Sequence, residues 1–313
     1  MERRDARHVV IGTGPLGLAV GRELRRRGEL VRLVSRSGRD EAPSGAVVIA
    51  ADVSDPAQAL RAFEGAHLVY HCAAPRYSQW PTLLPGMMRG TIEGAAAAGA
   101  RIVYGDNLYA YGRVTSPITE DLPDRPVGPN GRTRAAVAEM LLKAHAEGKV
   151  QAVIGRGSDF FGAHALVSTV GERVIGRMAA GKPALVLGDP DVPHTVTFID
   201  DFASALVTLG SHDEAFGEVW HVPSAETVSV RRFVELIAEQ TDAPATPRRT
   251  PSWFLAVGGL FNPDVRAVRE ILYQSQNPWV VDHTKFERAF GATPTAHPQA
   301  IRATLEWFRT RTP

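Results

Sequence analysis

The stretch HVVIGTGPLG, residues 8–17, decides the fold. Its first half is a short run rich in β-branched apolar residues. Its second half has the spacing G-x-G-x-x-G: Gly12, Thr13, Gly14, Pro15, Leu16, Gly17. Placed between a strand and a helix, each glycine has its own task. Gly12 permits a tight turn, Gly14 lets the backbone approach a diphosphate, and Gly17 lets the helix pack closely on the strand. The helix read over 15–27 presents its amino end to that turn, where an anion is favoured. The stretch therefore reads as a dinucleotide-binding turn, against the plainer reading of a structural glycine turn.

Outward from it, strand and helix patterns alternate. LVRLVS (30–35), AVVIAAD (46–52), HLVYHCAA (67–74), ARIVYGD (100–106) and VQAVIGRG (150–157) read as further strands. Helices are expected over 55–65, 84–99 and the segment PVGPNGRTRAAVAEMLLKAH (126–145). Continuous apolar strands separated by helices call for a parallel sheet covered on both faces. After residue 160 the rhythm breaks: 165–181 looks helical, HTVTFID (194–200) is a strand leading into a helix, and EVWHVP (218–223) returns to the main sheet. The expected fold is α/β, a Rossmann-type doubly wound parallel sheet with a smaller, discontinuous C-terminal substrate-binding cap. The boundaries read as 1–162 plus 194–223 for the dinucleotide domain and 163–193 plus 224–313 for the cap. The cleft at the sheet's carboxyl edge is where a small-molecule substrate is expected.

Bulk properties narrow the partners. In 313 residues, 35 Lys plus Arg balance 34 Asp plus Glu, so there is no electrostatic case for nucleic acid or an anionic membrane. The densest basic run, Arg25-Arg26-Arg27, falls at a helix carboxyl end, where cations complement the dipole. A single cysteine, Cys72, rules out an intramolecular disulfide and reads as a small buried hydrophobe. No signal peptide or membrane-length apolar run is read, so cytoplasmic residence is expected. The histidines do not gather at ligand spacing, and no metal is expected. A homodimer is left open.

The end of the second strand selects the dinucleotide. A carboxylate there would hydrogen-bond the ribose hydroxyls of NAD; this chain has Ser35-Arg36-Ser37-Gly38-Arg39. An arginine suits a 2′-phosphate through charge-assisted bonds, so NADP(H) is preferred and NAD(H) allowed, with solvated loop arginines as the alternative. After the third strand, Asp52 is placed to accept from the adenine amino group and Val53 to pack on its ring, unless Asp52 instead caps the next helix.

These residues, with HCAAP (71–75), YAYG (109–112), RGSDFFG (156–162) and HTVTFIDDFASAL (194–206), resemble the short-chain dehydrogenase/reductase superfamily. The resemblance is to its extended, epimerase/dehydratase-like branch, and it covers essentially the whole chain. It implies that Ala73, Ala74 and Pro75 allow close approach of the cofactor. It also implies a Ser, a Tyr and a Lys, the last two spaced Y-x-x-x-K. Matched segment by segment, Asn107 stands at the serine, Asn130 at the tyrosine and Arg134 at the lysine. The site is thus degraded, as in atypical members of the superfamily.

Chemistry limits the replacements. Asn107 can donate a hydrogen bond to a substrate oxygen. Arg134 supplies a fixed charge near the cofactor and a planar fork for ribose hydroxyls, but cannot shuttle protons. Asn130 has no titratable proton, and its place is with the substrate. Tyr109 is the nearest candidate acid if its stretch is extended, with a packed loop aromatic as the rival reading. Tyr111 reads as structural. Tyr77 and Trp80 lie just past the fourth strand, where a substrate would meet them or a cap would pack. His194 is a lesser candidate acid; Asp200 and Asp201 start a helix; Trp253, Phe254 and Tyr273 line the cap or form its small core. The expected activity is NADP(H)-dependent hydride transfer on a small organic substrate. An epimerase or dehydratase of a sugar-like substrate, and a non-catalytic NADP(H) sensor, are the alternatives.

Overall fold

The chain, described by a computed structural model over residues 7–38, 42–251, 258 and 262–311, divides into two units. The first comprises Met1–Asn107, Pro129–Arg156 and Phe202–Trp220, and the second Leu108–Gly128, Gly157–Asp201 and His221–Pro313. The first unit is built on β1 (His8–Ile11), β2 (Val31–Ser35), β3 (Val47–Ala50), β4 (Leu68–His71), β5 (Arg101–Asn107) and β6 (Ala152–Gly157). Its helices are α1 (Pro15–Arg26), α2 (Pro56–Phe63), α3 (Trp80–Ala98) and α4 (Gly128–Ala146). Later strands Asp159–Phe161 (β7), Leu185–Val186 (β8), Pro193–His194 (β9) and Val196–Phe198 (β10) precede helix Ile199–Gly210 and strand Val219–His221 (β11).

The sheet order is β11-β6-β5-β4-β1-β2-β3. β1 lies parallel between β2 and β4, in registers His8↔Val31 and His8↔Leu68. The order reverses between β1 and β4, which makes the carboxyl ends of these two strands the switch point of a doubly wound fold. The expected strands are all found, and EVWHVP does return to the main sheet as β11.

The helices form where apolar spacing and terminal chemistry agree. α1 begins with Pro15, whose missing N–H costs nothing in the first turn. It ends as expected on a solvated basic run, with Arg26 and Arg27 both bonded to Glu23 at 2.8 and 2.7 Å. α2 is capped by Asp55, whose carboxylate accepts from the N–H groups of Ala57 and Gln58. α3 starts at Trp80, four residues before the sequence-based start, because Pro81 is accommodated in its first turn. α3 packs closely on α2 and on the loop before it: a Cβ at Gly90 would lie 2.0 Å from the Val53 carbonyl oxygen of that loop, and one at Gly94 2.7 Å from Ala59 Cβ of α2. The core of this unit joins Val9, Val69, Ile102 and Ile154 of the sheet to Met88 and Ile92 of α3 and Val137 and Leu141 of α4.

The second unit has its own core, with Phe161, Val174, Phe198, Phe233 and Ile301 among its members. Its boundaries differ from the sequence-based ones at 108–128, 157–162, 194–201 and 221–223, the first three for reasons visible in the hydrogen bonds. Ile118 exchanges backbone bonds with Val280 and Asp282, which ties 108–128 to this unit. β7 pairs in parallel with β10, and Ser158 bonds Thr195 and Thr197, which ties in 157–162 and 194–201. The helix expected over 165–181 is confined to its second half, Gly171–Gly176 and Arg177–Ala179. A Cβ at Gly171 would lie 2.1 Å from the Ala165 carbonyl oxygen, so the chain doubles back where the helix was expected to run.

Candidate dinucleotide site and active site

The glycine turn has the geometry its spacing implies. Gly12 has φ of 104°, a conformation that side chains disfavour, and a Cβ there would lie 3.0 Å from Ala73 Cα. A Cβ at Gly17 would lie 2.0 Å from the Gly12 carbonyl oxygen, so α1 closes on the turn as only glycine allows. Gly14 differs: a Cβ there meets nothing within 4 Å. The N-cap of α1 is Gly14, without a side-chain cap. The first intrahelical bond runs from Leu18 N–H to the Gly14 carbonyl, leaving the Leu16 and Gly17 N–H groups outside the ladder. Open space at Gly14, two outward donors and the positive end of a helix dipole fit a diphosphate.

At the end of β2, the Ser35 hydroxyl accepts from Gly38 N–H at 3.0 Å and so shapes the turn. Arg36 beside it is exposed. Arg39 lies outside the described residues. Asp52 is exposed and forms its own turn, accepting from Ser54 N–H and Oγ at 2.9 and 2.7 Å; these bonds hold its carboxyl below the usual range. It does not cap α2, a task Asp55 performs. Val53 corrects its expectation: it is buried in the core, so its side chain has no face for a ring to stack on. Past β4, Ala73 and Pro75 are half-buried and Ala74 is exposed.

Four predicted site residues come together beside this segment. Trp80 donates from Nε1 to the Pro75 carbonyl at 3.0 Å, and its ring lies 4.4 Å from that of Tyr77, tilted by 38°. The Arg134 guanidinium lies 4.0 Å over the Trp80 ring. Asn130 donates from Nδ2 to the Tyr77 carbonyl at 3.2 Å. Asn130 is only 2% exposed, so it holds the Tyr77 turn and does not face a substrate as expected. Both side chains belong to the buried stripe of α4 that continues through Val137 and Leu141.

Arg134 is also engaged more deeply than its expected role requires. Its Nη1 donates to the Tyr104 hydroxyl at 2.7 Å and to Asp106 Oδ1 at 3.2 Å, while Arg156 Nε donates to Asp106 Oδ2 at 3.3 Å. Burial works against the charged form of Arg134. Tyr104, Asp106 and more weakly Tyr77 outweigh it, and the guanidinium is held charged more firmly than usual. Part of the fork expected to hold ribose hydroxyls is thus spent within the protein. Tyr104, Asp106 and Arg156 escaped the sequence reading. The signal was available: a carboxylate inside the strand RIVYGDN and an arginine inside AVIGRG imply buried, paired charges.

Asn107 ends β5 and is half-buried. The condition set for Tyr109 is not met. Leu108 adopts φ −98°, ψ 8°, and Tyr109–Tyr111 forms a single 3₁₀ turn, so the stretch is not extended. Tyr109 is 7% exposed. Tyr111 is structural as expected: its hydroxyl donates to His221 Nε2 at 2.9 Å, His221 Nδ1 being committed to the Asp282 carbonyl. His194 is buried with both ring nitrogens engaged, one by Asp159 at 3.1 Å and the other by the Gln274 carbonyl at 3.2 Å, so neither is turned toward a substrate. Burial raises the Asp159 carboxyl, but His194 and Thr169 outweigh this and hold it below the usual range. Asp200 and Asp201 do open a helix, Asp201 also holding Thr295. Tyr273 belongs to a small core with Tyr111 and Trp279, while Trp253 and Phe254 lie outside the described residues. Among the described residues, no cluster of His, Cys, Asp or Glu could hold a metal, and no helix is long and apolar enough to cross a membrane.

Behind the site, His71 is fully buried. Thr91 donates its hydroxyl proton to the Met87 carbonyl and so accepts from His71 Nδ1 at 3.1 Å. Burial, helped by the nearby Arg134 charge, lowers the ring's pKa to about 4. The unfolded chain binds this proton near 6.5, so the neutral ring's contribution is complete above that pH. It is lost as pH falls from about 6.5 to about 4, a span worth roughly 3 kcal/mol. Urea unfolding at pH 7.5 and 4.5 is expected to show this loss in the wild type and a markedly smaller one in His71→Gln. Equal losses would remove His71 from the account. Cys72, expected to be buried, is half-buried, though desolvation still pushes its thiol up.

A doubly wound parallel sheet with a glycine turn at its switch point defines a dinucleotide-dependent enzyme class, and the comparisons agree. The chain belongs to the NAD dependent epimerase/dehydratase family, which it matches over residues 9–222. It is 25% identical over 264 residues to dTDP-6-deoxy-L-talose 4-dehydrogenase (NAD(P)(+)) of Kitasatospora kifunensis, covering 78% of this chain and 81% of that protein. It is 28% identical over 170 residues to 2'-dehydrokanamycin reductase of Streptomyces kanamyceticus, covering 52% and 47%. In fold it resembles the UDP-glucose 4-epimerase of Thermotoga maritima, with a TM-score of 0.77, 20% identity and coverage of 96% and 98%. The resemblance read from the sequence, the fold class and the expectation of an NAD(P)-dependent enzyme are borne out.

Proposed function

We propose that the chain catalyses NADP(H)-dependent interconversion of a carbonyl and an alcohol on a small, sugar-like substrate. The observation that carries this is the glycine turn, whose open side at Gly14 and outward N–H groups fit a diphosphate. When bound, the nicotinamide dinucleotide supplies or accepts the hydride. The Leu16 and Gly17 N–H groups hold its diphosphate, Asp52 accepts from the adenine amino group, and Ser35 and Arg36 meet the 2′-phosphate. Ala73, Ala74 and Pro75 leave room for the nicotinamide, and Asn107 hydrogen-bonds the reacting oxygen. Arg134 holds a fixed positive charge at this end of the site.

The two curated relatives are named for oxidation or reduction of a deoxysugar nucleotide and of a kanamycin derivative, which favours a sugar-like substrate here. Redox turnover is favoured over epimerisation because the positions of the usual Tyr-Lys base hold Asn130 and Arg134, neither of which titrates. Consumption of one NADPH per product is therefore expected across a panel of sugar ketones; turnover without net loss would instead mark an internal cycle.

Calorimetry tests the cofactor directly. NADPH is expected to bind more tightly than NADH. Arg36→Ala is expected to weaken NADPH alone by about tenfold to a hundredfold, the value of a charge-assisted hydrogen bond. Equal weakening of both dinucleotides would overturn the NADP(H) preference, and no heat from either would overturn the function.

A further inference from the structure

We infer that Tyr77 is the proton donor of this site, and that Asn130, Trp80 and Arg134 are the residues that position it. The inference rests on the carbonyl–alcohol reading above and supplies the acid that reading lacks.

Access comes first. The chain has six tyrosines, and Tyr70, Tyr104, Tyr109, Tyr111 and Tyr273 are all buried. Tyr77 alone is half-buried, on the short turn that follows the Ala73–Pro75 segment. Burial further pushes the phenols of Tyr70 and Tyr104 up, making them weaker acids.

Positioning comes from the two replaced residues of α4. Asn130, at the place of the usual tyrosine, bonds the Tyr77 carbonyl and fixes the backbone of its turn. Arg134, at the place of the usual lysine, stacks on Trp80, and Trp80 in turn packs its indole against the Tyr77 ring. Trp80 is itself pinned to the Pro75 carbonyl, and Arg134 is anchored by Tyr104 and Asp106. Trp80 thus touches both the cation and the phenol ring, and Tyr77 is among the groups that hold Arg134 in its charged form. A fixed cation near a phenol favours the phenolate, as a lysine would, without needing to carry protons itself.

In the reductive direction, the Tyr77 O–H bond breaks and its proton passes to the substrate oxygen. That oxygen acquires negative charge as the carbonyl carbon accepts hydride from the reduced nicotinamide dinucleotide, which is oxidised. Tyr77 is left as a phenolate, which the nearby Arg134 charge favours, and being only half-buried it is reprotonated by water. Oxidation of the alcohol runs through the same atoms in reverse.

The test uses the full-length protein and Tyr77→Phe, which keeps the ring and its packing. The expected loss in kcat is about 10²- to 10⁴-fold, the range for a general acid, with the NADPH dissociation constant within a few-fold of wild type. The alkaline limb of the pH–rate profile is expected to vanish in the variant. In the absence of cofactor, an ultraviolet difference titration is expected to show one tyrosine ionising ahead of the rest in the wild type and none in Tyr77→Phe. Asn130→Ala is expected to lower kcat without weakening NADPH. A wild type that turns over while Tyr77→Phe retains its rate, or its early-ionising tyrosine, would overturn the inference and leave the proposed function standing. A wild type that neither binds nor consumes NADPH would fail at the earlier step.

Discussion

Replacing Asp106 by Asn is expected to lower the unfolding free energy by about 3–5 kcal/mol, the usual cost of breaking a buried ion pair from one side. The Asp106 side chain has no exposure, and it lies between Arg134 and Arg156, themselves 7% and 4% exposed. Aspartate offers each guanidinium a charged oxygen. Asparagine offers one neutral acceptor and turns an N–H₂ donor toward the other cation, which can only repel it. Both arginines would remain buried without the carboxylate that offsets their desolvation. A loss of this size would lower the melting temperature by about 10 °C, readable by calorimetry. A drop below about 1 kcal/mol would mean that desolvation already cancels the attraction.

The glycine turn provides the second large effect, and two neighbouring substitutions should separate folding from binding. At Gly17 a Cβ lies 2.0 Å from a backbone oxygen and 2.8 Å from its carbonyl carbon, so no side chain can move aside and the turn itself must open. Gly17→Ala is expected to cost about 1–3 kcal/mol of stability and to weaken both NADPH and NADH by about tenfold to a hundredfold. At Gly14 the backbone is extended, with φ of −76°, and the added methyl meets no protein atom. Gly14→Ala is therefore expected to fold with wild-type stability, within about 0.5 kcal/mol, yet to lose dinucleotide binding. Wild-type affinity in Gly14→Ala would show that nothing anionic lies against that residue.

Much of this architecture was legible because the signals were local. Strands such as HVVI and LVYH are unbroken apolar runs, and the glycine spacing sits directly between strand and helix. The misreadings occurred where tertiary contacts outvoted local pattern. Val53 was read as a ring-stacking residue beside Asp52, but α3 pulls it into the core. The helix expected from residue 165 is interrupted by the close approach at Gly171, which no periodicity reveals. The Tyr77–Trp80–Asn130–Arg134 group is assembled from segments some fifty residues apart. Each member has a sequence signal of its own, but only the folded chain shows that Asn130 faces a backbone carbonyl and Arg134 an indole. Asp106 carries no motif of its own, and only the folded chain shows it buried between two arginines.

The bare backbone contact between α3 and the carbonyl of Val53 has a practical reach. That carbonyl belongs to the loop carrying Asp52, so the contour of the loop proposed to meet an adenine is moulded from its rear by a helix that carries none of the proposed adenine contacts. A methyl group introduced at Gly90 would push this loop outward. Selection experiments seeking altered nucleotide preference would then recover changes on a surface that inspection of ligand contacts alone would pass over.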